Sequence, residues 1–145
     1  MTDNLTIQQR KKCMSHIHSK WTFQEVKIHN YLKGKKIKHK MHPSIIGNPD
    51  ILLTSSNTAV FLHGCFWHKC PKCYKAPKSH RHYWMPKIEN NIRRFKMNSR
   101  KLNKVGYKIL VLWEHDIKQS FERVIKRIIS NNCKTNKSAF RQYGN

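Results

Sequence analysis

The spacing of apolar residues along the chain separates helices from strands. Between Trp21 and Leu32 the positions Trp21, Phe23 or Val26, Ile28 and Leu32 recur at helical intervals, predicting a broad apolar face. Thr22, followed three residues later by Glu25, forms a capping box at the start of this helix, and Gly34 ends it. Lys35–Met41 alternates weakly around Ile37 and His39, the pattern of an edge strand with charged outward positions. Ile51-Leu52-Leu53 and Thr58–Leu62 are short apolar runs separated by the polar turn Ser55-Ser56-Asn57, which predicts a hairpin. Asp50 and His63 then lie at the same end of that hairpin. A basic helix follows over about Pro86–Val105, with Pro86 in its first turn and Ile88, Ile92, Phe95 and Leu102 inward. Tyr107–Trp113 is the strongest strand signal, and its near-continuous apolar run predicts a central position covered on both faces. A helix between two strands is the connection of a parallel pair. Phe121–Ile129 is a last amphipathic helix. The expected fold is α/β: a central mixed β-sheet flanked by helices. Residues 20–131 form the expected domain, residues 1–19 an arm on DNA, and residues 132–145 a polar tail. In the arm, Thr6 caps a short helix whose basic face is Arg10, Lys11 and Lys12.

Charge changes this picture from a fold to a binding protein. The 145 residues carry 30 Lys and Arg against 7 Asp and Glu, a formal charge of +23. Such an excess attracts a polyanion, and nucleic acid is the natural partner. No run is apolar for the roughly 18 residues of a membrane span. The amino terminus lacks the basic and apolar regions of a signal peptide. A cytoplasmic location is expected, where disulfides are uncommon and clustered cysteines read as metal ligands.

Candidate chemistry concentrates between His63 and Tyr74, a stretch holding three of the five cysteines. Cys65, Cys70 and Cys73 have C-x4-C and C-x2-C spacing, which suits a structural zinc closed by a fourth ligand. His115, carried to the cluster by the parallel strand, is the best candidate for that ligand, and His68 is its local rival. With His115 in that place, His63 and His68 join Asp50 and Glu25 as a second, harder set. Carboxylate oxygens suit Mg²⁺, and the chemistry indicated is phosphodiester hydrolysis. Asp50 holds the metal, and a histidine activates water or protonates the leaving oxygen. Phe66, Trp67 and Trp84 flank the set, either as wedges between bases or as core.

These residues carry a resemblance. Asn48-Pro49-Asp50, Phe61-Leu62-His63-Gly64-Cys65-Phe66-Trp67-His68, Tyr83-Trp84 and Val111-Leu112-Trp113-Glu114 resemble the very-short-patch repair (Vsr) mismatch endonucleases. That family is a branch of the PD-(D/E)xK nucleases, and the resemblance implies a restriction-endonuclease-like core with a structural zinc site. It also implies an enzyme that nicks one strand beside the thymine of a T:G mismatch. By similarity Asp50 and the Leu62 carbonyl bind Mg²⁺, and His63, His68 and Glu25 are catalytic. Cys65, Cys70, Cys73 and His115 take the zinc, while Met14, Phe66, Trp67 and Trp84 intercalate into DNA. Mismatch-repair proteins are implied partners of a monomeric, nucleoid-associated protein. Leu62 stands where the family has threonine, and Phe95 about where it has an acid. Cys70 and His115 exchange the family's histidine and cysteine. The alternatives are a zinc-stabilised DNA-binding module without cleavage, and an endonuclease that cuts specific sites without a mismatch.

Overall fold

The computed structural model describes residues 4–15 and 20–132, without the side chains of Met14 and Ser15. The Met14 wedge, and all of the polar tail but Asn132, lie outside the described residues. The described elements are α1 (Ile7–Ser15), α2 (Phe23–Gly34), β1 (His39–Met41), β2 (Ile51–Leu53), β3 (Thr58–His63), α3 (Arg81–Lys104), β4 (Lys108–Trp113), α4 (Glu114–Gln119) and α5 (Phe121–Asn132).

The four strands form one mixed sheet in the order β1-β2-β3-β4. β1 and β2 are antiparallel, with Met41 opposite Ile51, and β2 and β3 form the expected hairpin, with Ile51 opposite Val60. β3 and β4 run parallel, with Val60 opposite Leu110 and His63 opposite Trp113. Helix α3 makes the crossover between them.

Alternation along the strands divides the sheet into two faces. Ile51, Leu53, Val60, Leu110 and Leu112 pack with Ile28 and Leu32 of α2, Ile117 of α4, and Val124, Ile125 and Ile128 of α5. Ala59 and Phe61 face the other way, against Leu102 and Phe95 of α3. Asp50 continues β2 opposite Phe61, and His63 lies two residues beyond Phe61. All three therefore belong to the α3 face. A register slip of one residue would turn them into the other core.

Helix α3 meets this face with a stripe spaced by three and four residues: Ile88, Asn91, Phe95, Asn98 and Leu102. Ile88 and Leu102 are fully buried at its two ends. The polar residues between them leave room for a cavity.

Several expectations are corrected. β4 is an edge strand of the described sheet, paired only with β3. Its apolar run reflects helices on both faces, not strands on both sides. α3 starts five residues before Pro86, which therefore lies inside the helix and withholds one backbone donor. Tyr83 and Trp84 belong to its first turn. The buried stripe of α2 is Glu25, Ile28 and Leu32, whereas Trp21, Phe23 and Val26 are exposed. Arg10 is not on a basic outer face: it is 2% exposed, donates to the Leu5 carbonyl at 3.0 Å, and lies 4.8 Å from the Tyr83 ring centre. The Thr6 cap itself is present, with Thr6 Oγ1 accepting from Gln9 N at 3.2 Å and Gln9 Oε1 accepting from Thr6 N at 2.9 Å.

Leu112 is fully buried where β4 meets α4 and α5. Leu112→Ala is expected to lower unfolding free energy by about 2–5 kcal/mol in urea titration, the usual cost of a cavity at such a position.

Candidate active site and metal centre

The parallel pairing of β3 and β4 decides where the sulfur cluster sits. Both strands end together, at His63 and Trp113. Cys65 and His115 each follow two residues later. His115 Nδ1 is 3.3 Å from Cys65 Sγ and 3.5 Å from both Cys70 Sγ and Cys73 Sγ. All four ligand atoms lie within 4.8 Å of one another. A tetrahedral ion with bonds of about 2.3 Å to sulfur and about 2.0–2.1 Å to nitrogen has N···S edges of about 3.5 Å, so the set fits a metal of zinc type. The thiols alone are mismatched: Cys73 is pushed up to about 12, chiefly by its hydrogen bond with Cys65. A cation at the centre removes that conflict by stabilising thiolates.

The loop is folded tightly enough to hold this arrangement. Cys70 N donates to the Cys65 carbonyl at 2.9 Å and Tyr74 N to the Cys70 carbonyl at 3.1 Å. Glu114 Oε2 accepts from Cys65 N at 3.3 Å, while its Oε1 accepts from Lys118 Nζ at 2.7 Å. The backbone at Gly64 approaches Trp67 closely: a Cβ there would stand 3.0 Å from Trp67 Cδ1, so the indole would have to give by a few tenths of an ångström.

His68 is turned away from the sulfurs. Its ring stacks on His63 with centroids 3.7 Å apart and planes within 6°. Both histidines and Asp50 line a cavity of about 460 Å³ between the β2–β3 hairpin and α3. Helix α3 supplies Lys87, Asn91, Arg94, Phe95 and Asn98 to its far wall. Asp50 Oδ2 accepts from Leu62 N at 2.7 Å, which ties the carboxylate across the hairpin. Asp50 is raised to about 6, mainly by burial, against the Leu62 hydrogen bond and with Glu25 adding to the rise. A carboxylate in that position is stabilised by a bound cation, so this residue also fits a hard metal. His63 is lowered to about 3, mainly by burial and with a further contribution from His68; His68 itself is lowered by burial. Phe95 stands edge-on to His63 with centroids 4.4 Å apart. Neutral imidazoles result, with buried His63 Nε2 and His68 Nδ1 having no hydrogen-bond partner among the described residues.

Glu25 does not line this cavity. It is buried, and its Oε2 accepts from Trp21 N and from His42 Nε2, each at 2.6 Å. His42 N in turn donates to the Asp50 carbonyl at 2.9 Å. Phe66, Trp67 and Trp84 are half-buried and meet one another edge to face, with centroids 5.1–5.8 Å apart. Together with Leu5, Arg10 and Cys13 they border a second cavity of about 830 Å³, between α1 and the cysteine loop.

Residues 2–75 match the family described as "DNA mismatch endonuclease Vsr". The type II nicking enzyme V.NmeAIP of Neisseria meningitidis serogroup A is 39% identical over 121 residues, covering 81% of this chain and 86% of its own length. The DNA mismatch endonuclease Vsr of Escherichia coli K12 is 31% identical over 108 residues, covering 72% of this chain and 69% of its own. The chain belongs to the Vsr endonuclease family. It is therefore an endonuclease acting on DNA, on a mixed sheet of restriction-endonuclease type. Its Cys₃His cluster gives this Vsr protein a site that could hold a metal. No helix among the described residues is long and apolar enough to cross a membrane.

Sequence reasoning passed over His42 and the cavity wall made by α3. For the wall a signal existed: Asn91 and Asn98 interrupt an apolar stripe at the spacing of its buried ends. His42 had none, since its partner Glu25 lies on a different element.

The burial of His63 gives a direct measurement. Its imidazole is expected to show no titration between pH 8 and pH 5 in side-chain NMR spectra, taking up a proton only near pH 3. A titration close to the ordinary histidine value would contradict the buried geometry.

Proposed function

We propose that this Vsr protein is a Mg²⁺-dependent endonuclease that nicks one DNA strand at or beside a T:G mismatch. The observation that carries the reading is the convergence of Asp50, His63 and His68 on one cavity walled by Lys87 and Arg94. Mg²⁺ bound by Asp50 and the Leu62 carbonyl supplies positive charge to the phosphate under attack. Lys87 and Arg94 bind and orient the flanking phosphate oxygens. One neutral imidazole takes the proton of the attacking water; the other, entering protonated, delivers a proton to the oxygen that leaves phosphorus. The stacking of His63 on His68 suits this division, because two parallel rings 3.7 Å apart resist carrying two positive charges at once. A phosphate in the cavity brings negative charge beside the rings and raises their proton affinity when it is needed. Glu25, fixed by Trp21 and His42, adds negative charge behind Asp50 and so strengthens the pull on the cation. Phe66, Trp67, Trp84 and Met14 are the proposed wedges beside the mismatch.

Cys65, Cys70, Cys73 and His115 are proposed to hold a structural Zn²⁺. With four protein ligands it has no open position, so it pins the aromatic loop and takes no part in hydrolysis. A nuclease that cuts specific matched sites is the second reading, since the name type II nicking enzyme, carried by several relatives, specifies a nick and no mismatch.

Labelled duplexes separate the readings. A T:G-mismatched duplex is expected to be nicked in one strand with Mg²⁺, and a matched duplex to be left intact. Equal cutting of both would replace the first reading by the second. Asp50→Ala is expected to lower the nicking rate by at least about a thousandfold while leaving duplex binding largely unchanged, since the preorganised charge it anchors is a main source of rate. Elemental analysis of freshly purified protein is expected to find about one zinc per chain, and Cys70→Ser to lose it together with thermal stability. A zinc content near zero in the wild-type protein would remove the structural role.

A further inference from the structure

The start of α2 carries apolar surface that the fold leaves uncovered. Phe23 is 78% exposed, Trp21 51% and Val26 36%. Single exposed apolar side chains are ordinary, but three together, two of them aromatic, are a binding surface. Phe23, Val26 and Lys27 share one helix face at three- and four-residue spacing. Lys20 is exposed beside them. The only acid of α2, Glu25, is buried and bonded to Trp21 N, so α2 itself adds no exposed anion to this surface.

Trp21 is held in place from below. Its backbone N donates to Glu25, and its ring stands edge-on to His42, with centroids 5.0 Å apart, and to His29, at 5.4 Å. Its φ of 57° lies in the left-handed region, a conformation costly for a bulky residue unless its surroundings enforce it. The same His42 bonds the Asp50 carbonyl. Trp21 is thus two contacts from the residue that faces the scissile phosphate.

We propose that Trp21 and Phe23, with Lys20 beside them, form an aromatic contact for the substrate DNA a few nucleotides to one side of the cleaved phosphate. This rests on the reading that the Asp50 cavity receives that phosphate. A strand advances about 3.4 Å per nucleotide, so DNA seated on Asp50 reaches the neighbouring surface within a few steps. In a duplex the bases are already stacked on one another, so exposed aromatic side chains pack on deoxyribose and on base edges in the groove without selecting sequence, and the adjacent Lys20 binds phosphate. The surface is distinct from the aromatic cluster of Phe66, Trp67 and Trp84, which lies on the cysteine loop and α3. DNA would therefore be gripped at two separate aromatic points.

Photocrosslinking tests the contact. The Asp50→Asn protein is mixed with duplexes bearing 5-iodouracil at successive positions on each side of the expected cleavage site, then irradiated and digested with trypsin. Crosslinks to the peptide 21–27 are expected at one or a few adjacent positions on a single side. In the same background, Phe23→Ser is expected to weaken binding of a long duplex roughly tenfold, the scale of losing one aromatic side chain from an interface. A duplex shortened on that side should bind both proteins equally. Phe23 is too exposed for this substitution to unfold the chain, and an unchanged melting temperature checks that. Absence of crosslinks to the peptide at every position, or equal affinity of both proteins for the long duplex, would overturn the proposal. So would a wild-type dimer in sedimentation that Phe23→Ser dissociates, since the occupant would then be a second copy. Because cleavage is not read, failure here is distinguishable from failure of the nicking reading, which wild-type protein shows as uncut mismatched DNA.

Discussion

The parallel pairing of β3 with β4 is the interaction on which the rest of this protein depends. One register, His63 beside Trp113, brings two distant pieces of chain to a common end of the sheet. Two residues further on, each piece contributes to the Cys₃His cluster. The same register holds Leu110 and Leu112 against the core under α5 and Phe61 and Ile109 against α3. Hydrophobic packing therefore sets the alignment, and the Cys₃His cluster reports it. An error of one residue in this ladder would separate the sulfurs from His115 and reverse both faces at once.

The hairpin adds the second condition. Asp50 reaches across it to the Leu62 amide, so the carboxylate is oriented by the same backbone that carries His63. A half-buried acid, a buried imidazole and a half-buried one are individually unfavourable in a weakly polar cavity. Here the packing of Phe61, Phe95 and the strands imposes that cost, while the long-range core under α2, α4 and α5 carries the stability. The site is preorganised rather than comfortable, which suits the catalytic role proposed for these groups.

Much of this was legible in the sequence. Two short apolar runs with a polar turn between them identified the β2–β3 hairpin, and a helix between two apolar runs identified the parallel pair. From those two facts came the approach of Asp50 to His63 and of His115 to the cysteines. Other features depend on packing that local pattern does not encode. The apolar run of β4 measures coverage by helices, which an edge strand can have as fully as a central one. Arg10 looked like one more basic surface residue because Tyr83 and Trp84, which cover it, are more than seventy positions away. Helix α4 is short and polar, and it exists because the chain turns under the sheet after Trp113. Trp21, Phe23 and Val26 matched a helical period, yet the stripe that faces inward contains Glu25 instead.

The separation of the cluster's ligands also orders its assembly in time. Cys73 and His115 are 42 positions apart, with the whole of α3 and β4 between them. At about 5–20 residues per second, translation makes the three thiols a few seconds before it makes the imidazole that completes the set. During that interval the nascent chain has only a three-sulfur claw. Closing it requires β4 to have docked, so the last strand of the sheet acts as the latch on the loop that precedes it.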